Sequence, residues 1–591
     1  MPAGVHGSGT APGYWPPPES MRPTLVGERH MVSAGHPLVA DVATRAFEQG
    51  GNAIDAGVAA GMAANVVQAD MCNFGGVAPS VIRDGGSGEV WTVAGTGRWS
   101  SEASIEAHLA RYGGDMPAGA ACAVVPAAPA AWITALRRFG TWTFTDAASF
   151  AIELARGGFV IDRRLAESLA ICGRTFSGWA SSSAIYWPQG RPPRPGEVLV
   201  QDDLGRLLGQ MASAECEASR TGATREAALE AAQRAFYDSD IAVTIANFVE
   251  AGGGWMRPAD LAAYSPTVER AVSGQYGNWS IHVPDTWSQG PVLPQMLGIL
   301  AHFDLATLGH NTADYLHVLI EAVKLAYSDR EAWYGDPLHT TVPLEYLLGT
   351  ERAADHASRI RMNAAMEDLP TVPMRAPHAA AKAKGRRRLD TTSICTLDAD
   401  GNAFSAAMSD TLDDSPIVPG LGIMVSPRGA QSRLDPTHPA ALGPGVRPRI
   451  TPAPAIAIKD ADGKRDVWPM SCPGGDTIPQ AMLQVLLNVV QFGMTPQQAV
   501  EAPRLGAYCF PDTFFPHDHD PGRVRIEARI PTAVFDDLAD RGHRIAPWPE
   551  FEFDAGGVTM IIGGFRSRQS RPSRILQAAA DPRRSCYASG R

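Results

Sequence analysis

Apolar residues recur at helical spacing in several long stretches of this chain. After His36 they fall on one face of a helix that a glycine pair ends. The alanine-rich run over residues 52–67 predicts a second helix, buried on all sides because it carries few polar positions. Two more apolar helices are predicted over residues 315–333 and 479–492. These stretches are expected to form core, and they carry no candidate chemistry.

A pattern with a period of two begins at Thr391 and predicts a β-strand. A turn of five residues rich in Asp, Gly and Asn follows, and a second short strand is predicted over residues 403–407. The two strands are expected to form one hairpin. The first strand has two faces, with Thr392, Ile394 and Thr396 on one and Ser393, Cys395 and Leu397 on the other.

The segment just before this hairpin, residues 371–390, is basic and rich in alanine and proline. Such a segment cannot bury itself, so it is predicted to be mobile. One interpretation is a simple surface linker. Because the segment stops abruptly at a hydroxyl residue that starts a strand, it also indicates a tail that leaves a site after cleavage between Asp390 and Thr391.

Cleavage at this bond would supply the base that the Thr391 hydroxyl lacks. A threonine hydroxyl is a weak nucleophile at neutral pH and needs a base within hydrogen-bonding distance. The α-amine of a new N-terminus has an ordinary pKa near ~8, so it suits proton transfer at neutral pH. From these residues alone, an ordinary hairpin whose threonine pair favours a strand is the alternative.

Composition narrows the class of protein. The chain has 591 residues, 45% of them hydrophobic, and a formal net charge of −11, which argues against nucleic acid or an anionic membrane as partner. No run reaches the ~18 apolar residues that a membrane span needs. Residues 1–30 are predicted to form a disordered or loosely draped arm, and because they lack the pattern of a secretory signal a cytoplasmic location is predicted. The eight cysteines are scattered and are predicted to be reduced and mostly buried.

Four motifs together resemble those of one family. They are Gly50-Gly51-Asn52-Ala53-Ile54-Asp55-Ala56, Thr391-Thr392 with its hairpin, Cys472-Pro473-Gly474-Gly475-Asp476 and Glu501-Ala502-Pro503-Arg504. The resemblance is to the γ-glutamyltranspeptidases, and it runs in the same order from about residue 31 to residue 583. It implies a self-cleaving N-terminal-nucleophile hydrolase of the α+β class, with a four-layer αββα sandwich.

The resemblance also implies how the chain is divided. A large subunit, residues 31–390, and a small catalytic subunit, residues 391–591, would arise from one cut and stay together as a heterodimer. No cofactor is implied, and the expected partner is a small-molecule amide substrate. The cluster over residues 517–520, His-Asp-His-Asp, is not predicted to bind a metal, because adjacent side chains cannot all converge on one ion.

The resemblance assigns roles to five residues. Thr391 is the nucleophile, and Ser409 stands where the family has a threonine that hydrogen-bonds it. Gly474 and Gly475 are expected to hold the oxyanion, since paired glycines at a helix start let backbone N–H groups approach a ligand closely. Arg98 matches the arginine that holds the substrate carboxylate, a contact for which a planar guanidinium is suited. The alternatives are an ordinary turn, a solvated strand-end hydroxyl and a surface arginine.

The family's clamp for an amino-acid head group is largely replaced. Thr411 stands in place of an asparagine, Ile450 and Thr451 stand in place of two serines, and residues 428–432 lack the family's acidic pair. Losing the acid removes the charge partner of a substrate ammonium. We hypothesise that Arg428 recruits a second acidic group on the substrate. The candidate residues of the altered clamp are Thr411, Arg428, Gln431 and Thr451.

The predicted activity is cleavage of a γ-glutamyl or related amide through a threonyl acyl-enzyme, which passes the acyl group to water or to an amine. Two alternatives stay open because both would explain the altered clamp. One is a family acylase or amidohydrolase on a non-glutamyl substrate, of the cephalosporin side-chain or oxamate type; the other is a C–C bond hydrolase of a secondary-metabolite pathway. An inactive processed scaffold is the alternative of another class, and the intact set of Thr391, Ser409 and the glycine pair argues against it.

Overall fold

The computed structural model describes residues 20–176, 178–367, 369–370, 390–461, 464–566 and 573–591. Within these ranges the chain mixes helices with sheets, as the predicted α+β class requires. Its strands form two sheets of seven strands each, a three-stranded sheet and a two-stranded sheet. The smaller sheets pair Leu505–Ala507 with Arg523–Glu527 and Arg544–Trp548, and Phe159–Val160 with Val198–Leu199.

The two large sheets are antiparallel throughout, and the predicted hairpin lies in the middle of one of them. This hairpin sheet consists, in spatial order, of Tyr587–Gly590, His30–Ala34, Thr391–Asp398, Ala403–Ser409, Ser80–Arg83, Val90–Val93 and Val268–Arg270. The companion sheet consists, in spatial order, of Leu25–Gly27, Ser573–Ala580, Thr559–Arg566, Lys464–Ser471, Ala455–Ala461, Trp279–Val283 and Val272–Tyr276.

Helices share apolar cores with both large sheets. Those packed with the hairpin sheet are Pro37–Glu48, Ala53–Val67, Ala128–Phe139, Phe144–Gly157, Arg163–Ile171, Gly173–Phe176, Ala180–Tyr186, Asp202–Arg220, Arg225–Tyr237, Asp240–Ala251 and Pro258–Ala262. Those packed with the companion sheet are Val292–Leu300, Leu305–Leu308, Ala313–Trp333, Leu344–Leu347, Thr350–Arg359, Ile478–Val490, Pro496–Glu501 and Thr532–Asp540. Ile105–Tyr112 belongs to a smaller cluster around Trp99.

The alternation along the hairpin explains why both faces of its strands are buried. Ile394 and Phe404 point into the core shared with the helices. Cys395 and Leu397 point the other way, into a separate core that also contains Val467 of the companion sheet. A strand with apolar contacts on both faces has its register strongly fixed, because a slip of one residue would exchange the two faces.

The predicted elements are present with modest shifts of their ends. The second hairpin strand continues two residues beyond its predicted end, to Ser409, because it pairs with the whole first strand. All eight cysteines are free thiols and seven of them are buried, which confirms that prediction. The three predicted apolar helices after residue 50 are observed as Ala53–Val67, Ala313–Trp333 and Ile478–Val490. Each helix in the described ranges is too short or too polar to cross a bilayer.

The helix Ala53–Val67 anchors the hairpin that carries Thr391. At its start, the backbone N–H of Ala53 donates to Asp398 Oδ2 over 3.0 Å, and the Thr396 hydroxyl donates to the Ala53 carbonyl over 2.6 Å. Farther along, Gly57 leaves room for the Phe404 ring, which would lie 2.3 Å from an added Cβ. The hairpin is therefore tied to a fully buried helix at the end away from Thr391.

Two predicted segments lie wholly or mainly outside the described residues. They are residues 371–389 of the predicted mobile segment and residues 1–19 of the predicted N-terminal arm. The last part of that arm is described, and Leu25–Gly27 forms an edge strand of the companion sheet against Ser573–Ala580.

Candidate active site

The two hydroxyl residues predicted to act together lie directly opposite one another. Thr391 begins the first hairpin strand, Ser409 ends the second, and the antiparallel register pairs them. Their hydroxyl oxygens are 2.9 Å apart, and both side chains are buried. Directly opposite residues on adjacent strands share one face of a sheet, so this contact follows from the hairpin register.

The Ser409 hydroxyl also donates to the carbonyl oxygen of Asp390, over 2.5 Å, and accepts a hydrogen bond from the Arg428 guanidinium. A serine hydroxyl has one proton and two acceptor lone pairs. Because its proton goes to the Asp390 carbonyl, its second lone pair is left to accept the Thr391 hydroxyl proton. One hydroxyl thus connects the predicted nucleophile with the carbonyl of the predicted scissile bond.

Arg428 is a buried cation with its own counterion. Its Nε donates to Asp410 Oδ1 over 2.5 Å, and Asp410, with φ +89°, turns sharply after the hairpin strand. Gln431 and Thr451 lie 3.3 and 3.4 Å from Arg428 Nη1, so these clamp candidates meet in one buried cluster. The charge of Arg428 is already paired in this structure, and its role in recruiting a substrate anion stays a prediction. Sequence reasoning missed Asp410, although it directly follows Ser409.

The next residue of the strand is held by a different partner. The Thr392 hydroxyl donates to Gln68 Oε1 over 2.8 Å, and the Gln68 amide donates in turn to the Gly35 carbonyl. Only glycine fits at position 35, because an added Cβ would lie 2.1 Å from Thr392 Oγ1. These contacts fix the strand start without involving Ser409, so the two adjacent threonines are placed for different roles.

The Asp390 side chain lies beside the peptide bond between Asp390 and Thr391, the predicted scissile bond. Its Oδ1 accepts the backbone N–H of Thr391 over 2.8 Å and a hydrogen bond from Arg584 Nη1 over 2.6 Å. No sequence pattern connects Arg584 with Asp390, since 194 residues separate them. A buried arginine therefore holds the last residue of the predicted large subunit.

The predicted oxyanion glycines form a turn with positive φ at the start of a helix. Gly474 and Gly475 have φ of +135° and +60°, which glycine adopts at little cost. The first N–H groups of a helix have no partner within it, and neither glycine N–H donates to another described residue. The turn is anchored by Asp476, which pairs with Arg330 over 2.6 Å and accepts from the Thr513 hydroxyl over 2.6 Å.

A cavity of about 590 Å³ opens in front of this turn. Asp390, Thr411 and both glycines line it, so the structure brings one clamp candidate and the oxyanion candidates to the same space as the predicted scissile bond. Thr391 lines a small adjoining cavity. The residues common to the two cavities are Asp70, Met71, Arg164, Phe553 and Arg584. The aromatic wall of the large cavity is formed by Tyr508, Phe510, Phe514, Phe515 and Phe553.

Asp70 is a second residue that the sequence did not single out. Burial raises its pKa to about 6, and hydrogen bonding from Ser168 and the nearby charge of Arg164 only partly oppose that shift. An aspartate that titrates this close to neutrality is more often found at functional sites than elsewhere. No sequence pattern marks it, because the shift arises from the cavity walls that the fold assembles.

Two further predictions from the sequence concern Arg98 and the His-Asp-His-Asp run over residues 517–520. Arg98 is half-buried, lines neither cavity, and makes no hydrogen bond or ion pair through its guanidinium with a described residue, so its predicted carboxylate contact stays a prediction. The ring nitrogens of His517 and His519 lie within hydrogen-bonding distance of backbone carbonyls. Elsewhere, His317, Glu321 and His543 lie close enough together to hold a metal ion. The Glu321 carboxylate, however, is already ion-paired with Lys324 over 2.7 Å.

The remaining motifs hold the fold together near the site. Arg504 pairs with Asp581, and Arg583 pairs with Glu527 over 2.6 Å, all in buried positions. Removing one member of such a network would leave an uncompensated buried charge. These motif residues therefore fix the chain segment that presents Arg584, and we assign them no chemistry.

The chain is similar to known proteins along nearly all of its length. The family profile named Gamma-glutamyltranspeptidase matches residues 39–590. The Acylase ACY 1 proenzyme of Pseudomonas sp. (strain SE83) is 29% identical over 550 residues, which cover 90% of each chain. The Glutathione hydrolase proenzyme of Escherichia coli (strain K12) is 28% identical over 592 residues, covering 94% of this chain and 91% of that one. The crystal structure of cephalosporin acylase from Bacillus halodurans matches with a TM-score of 0.82 and 26% identity over 98% of both chains.

The profile match covers every residue of the hydroxyl pair, the buried arginine cluster and the glycine turn. Both curated relatives are proenzymes by name, in keeping with a precursor that must be cut. The resemblance predicted from four short motifs is thus confirmed over almost the full chain, and this protein belongs to the gamma-glutamyltranspeptidase family.

Proposed function

We propose that this chain is a precursor that cuts itself between Asp390 and Thr391 and then acts as an N-terminal-threonine amidohydrolase or acyltransferase. The observation that carries the proposal is the hydrogen-bonded series from the Thr391 hydroxyl through Ser409 to the Asp390 carbonyl, with spacings of 2.9 and 2.5 Å. The fold proposed with it is a four-layer αββα sandwich, in which residues 391–591 contribute the central hairpin and most of the companion sheet.

Self-cleavage uses these same atoms. Thr391 Oγ1 bonds to the Asp390 carbonyl carbon while its proton moves to Ser409 Oγ and the Ser409 proton moves to the carbonyl oxygen. The C–N bond then breaks and the proton on that oxygen passes to the Thr391 nitrogen, which leaves an ester and a free amine. Water hydrolyses the ester, so Asp390 ends in a carboxylate and Thr391 regains its hydroxyl. The charge of Arg428 beside Ser409 stabilises the negative charge that develops on the carbonyl oxygen.

The mature site repeats this chemistry on a separate amide. The new α-amine of Thr391 takes the hydroxyl proton, and Thr391 Oγ1 attacks the substrate carbonyl. Gly474 and Gly475 line the cavity, and their N–H groups donate to no other described residue, so these donors are suited to hold the oxyanion. The leaving amine receives the proton from the α-amine. Water, or an acceptor amine, then releases the acyl group from Thr391.

A γ-glutamyl amide is the first substrate class to consider, since the relatives include a glutathione hydrolase. An acylase acting on another acyl group is a second candidate, and one observation favours it. The large cavity has five aromatic side chains in its walls, more than the head group of a single amino acid needs. The acylases among the similar proteins are in keeping with this candidate. A cytoplasmic location stays a prediction.

Labelling of the nucleophile tests the proposed function. The purified protein is treated with an electrophile that mimics an amide, digested and analysed by mass spectrometry. We expect the label on the peptide that begins at Thr391, together with turnover of at least one member of a panel of γ-glutamyl and other acyl anilides. A cut protein with neither label nor turnover would favour the inactive scaffold.

Replacing Ser409 with alanine is expected to slow self-cleavage on the order of 10²–10³-fold, the usual loss when one preorganised oxyanion donor is removed. The rate is measured as the disappearance of the uncut chain on denaturing gels during expression and after purification. Ser405→Ala is the matched control, because this serine lies on the same strand but donates to the Met470 carbonyl, 2.7 Å away. Equal cleavage rates for the two variants would remove Ser409 from the mechanism.

A further inference from the structure

We propose that Arg584 is a receptor for a carboxylate on the acyl part of the substrate, and that the Asp390 side chain occupies this receptor in the uncut chain. The inference rests on the proposed function, and it names a substrate class: amides of dicarboxylic acids. The contact that suggests it is the ion pair between Arg584 Nη1 and Asp390 Oδ1, 2.6 Å long, with only 7% and 16% of the two side chains exposed.

The covalent chemistry places Asp390 where a substrate acyl group would be. During self-cleavage the Asp390 carbonyl becomes an ester of Thr391, and in turnover the substrate carbonyl would form the same ester on the same oxygen. The maturation ester is therefore an acyl-enzyme whose acyl group already carries a carboxylate. In the uncut chain that carboxylate is held by Arg584, so a substrate acyl group of similar shape would reach the same guanidinium.

Cleavage frees the residue that neutralises Arg584 in the uncut chain. Among the described residues, Asp390 supplies the one carboxylate within ion-pair distance of it. The other hydrogen-bond and ring contacts of Arg584 are with neutral groups: the Phe553 carbonyl 3.3 Å from its Nε, Met71 Sδ, and the Phe553 ring, whose centroid lies 3.6 Å away. A buried cation without a partner is costly. Once Asp390, at the end of the large subunit, is free to move away, an anionic ligand can pair with Arg584 in its place.

A second guanidinium strengthens the positive potential there. Arg164 stacks on the same Phe553 ring at 3.7 Å, and two groups this close to one ring centre must lie on its opposite faces. The Arg164 Nε is buried and has no hydrogen-bond partner among the described residues. Asp70 lies near Arg164 and offsets part of its charge. We therefore assign the direct contact to Arg584 and a supporting role to Arg164.

The geometry of aspartate fixes the expected length of the acyl group. In Asp390 two carbon atoms separate the backbone carbonyl from the side-chain carboxylate, as in a succinyl group. A four-carbon diacid such as succinate should thus fit the receptor best. Butyrate has the same length but no second carboxylate, which makes it the matched neutral-tail probe. Charged hydrogen bonds of this kind typically alter affinity on the order of 10–100-fold.

Calorimetric titration with succinate and butyrate tests the inference without relying on turnover. The first protein is Thr391→Ala, which stays uncut and keeps Asp390 on Arg584; we expect it to bind neither acid. In the cut wild-type enzyme the acyl group of Asp390 has left Thr391, so the receptor is open, and succinate should bind at least about tenfold more tightly than butyrate. Adding Arg584→Gln should abolish that difference. Adding Arg525→Gln instead, at another arginine of the large cavity, should preserve it.

Each result decides the matter. Equal binding of the two acids by the cut enzyme, or a succinate preference that survives Arg584→Gln, would overturn the inference. Mass spectrometry of the same samples checks the proposed function separately, because a cut Thr391→Ala chain would contradict self-cleavage at this residue and not the receptor. In the mature wild-type enzyme, succinyl anilide should then have a lower KM than butyryl anilide, with kcat little changed.

Discussion

Replacing Thr391 with alanine is expected to leave one intact polypeptide of 62.7 kDa and to remove activity by on the order of 10⁴-fold or more. The hydroxyl of Thr391 is the atom that attacks in self-cleavage, and the same hydroxyl, with the amine that cleavage frees, attacks in turnover. Among the described residues, the Thr391 hydroxyl is the one hydroxyl that contacts Ser409, which in turn donates to the Asp390 carbonyl. Intact-mass measurement and N-terminal sequencing beside the wild type check this result.

The wild type should give two fragments, one of them beginning Thr-Thr-Ser-Ile-Cys. Thr392→Ala is the matched control, because its hydroxyl contacts Gln68 and not Ser409, and it should still be cut. Thr391→Ser keeps a hydroxyl and should be cut as well. A single wild-type chain that starts at Met1 would mean that Thr391 has no free amine. Self-cleavage would then require a condition missing from the preparation, or the protein would be an inactive scaffold.

The parts of the fold that the sequence predicted are those with local causes. The hairpin at Thr391 was recognisable because its apolar residues alternate and its turn carries Asp, Gly and Asn. The buried helix Ala53–Val67 was recognisable from its run of small apolar residues. Even the contact between Thr391 and Ser409 is a local result, since it follows from the length of the hairpin. The resemblance to a family added the roles that no periodicity could supply.

The parts that the sequence did not predict depend on distant segments meeting. The sequence suggested Arg428 as an anion receptor because residues 428–432 lack the family's acidic pair, and it did not predict that Asp410, at the end of the hairpin, pairs with this arginine. Arg584 had no predicted role, because its contact with Asp390 exists only once the C-terminal segment packs beside the cleavage site. Neither pairing has a spacing signal, since both cross a tertiary contact and not a helix turn or strand pair.

The buried pair of Arg428 and Asp410 allows stability and chemistry to be separated. Arg428→Met is expected to lower the free energy of unfolding by about 3–5 kcal/mol, because it leaves the Asp410 carboxylate as an uncompensated buried charge. The same change removes the charged donor to the Ser409 hydroxyl, so self-cleavage should slow as well. Stability is measured by urea unfolding in a Thr391→Ala background, so that all proteins compared are uncut chains.

The double variant Arg428→Met/Asp410→Asn distinguishes the two effects. Asparagine tolerates the positive φ of position 410 and carries no charge, so most of the lost stability should return. The cleavage rate, measured with Thr391 intact, should stay low, because the Ser409 hydroxyl still lacks the guanidinium that stabilises charge on the Asp390 carbonyl oxygen. Recovery of the rate along with the stability would mean that Arg428 only holds the fold. If stability returns while the cleavage rate stays low, Arg428 takes part in the chemistry of self-cleavage.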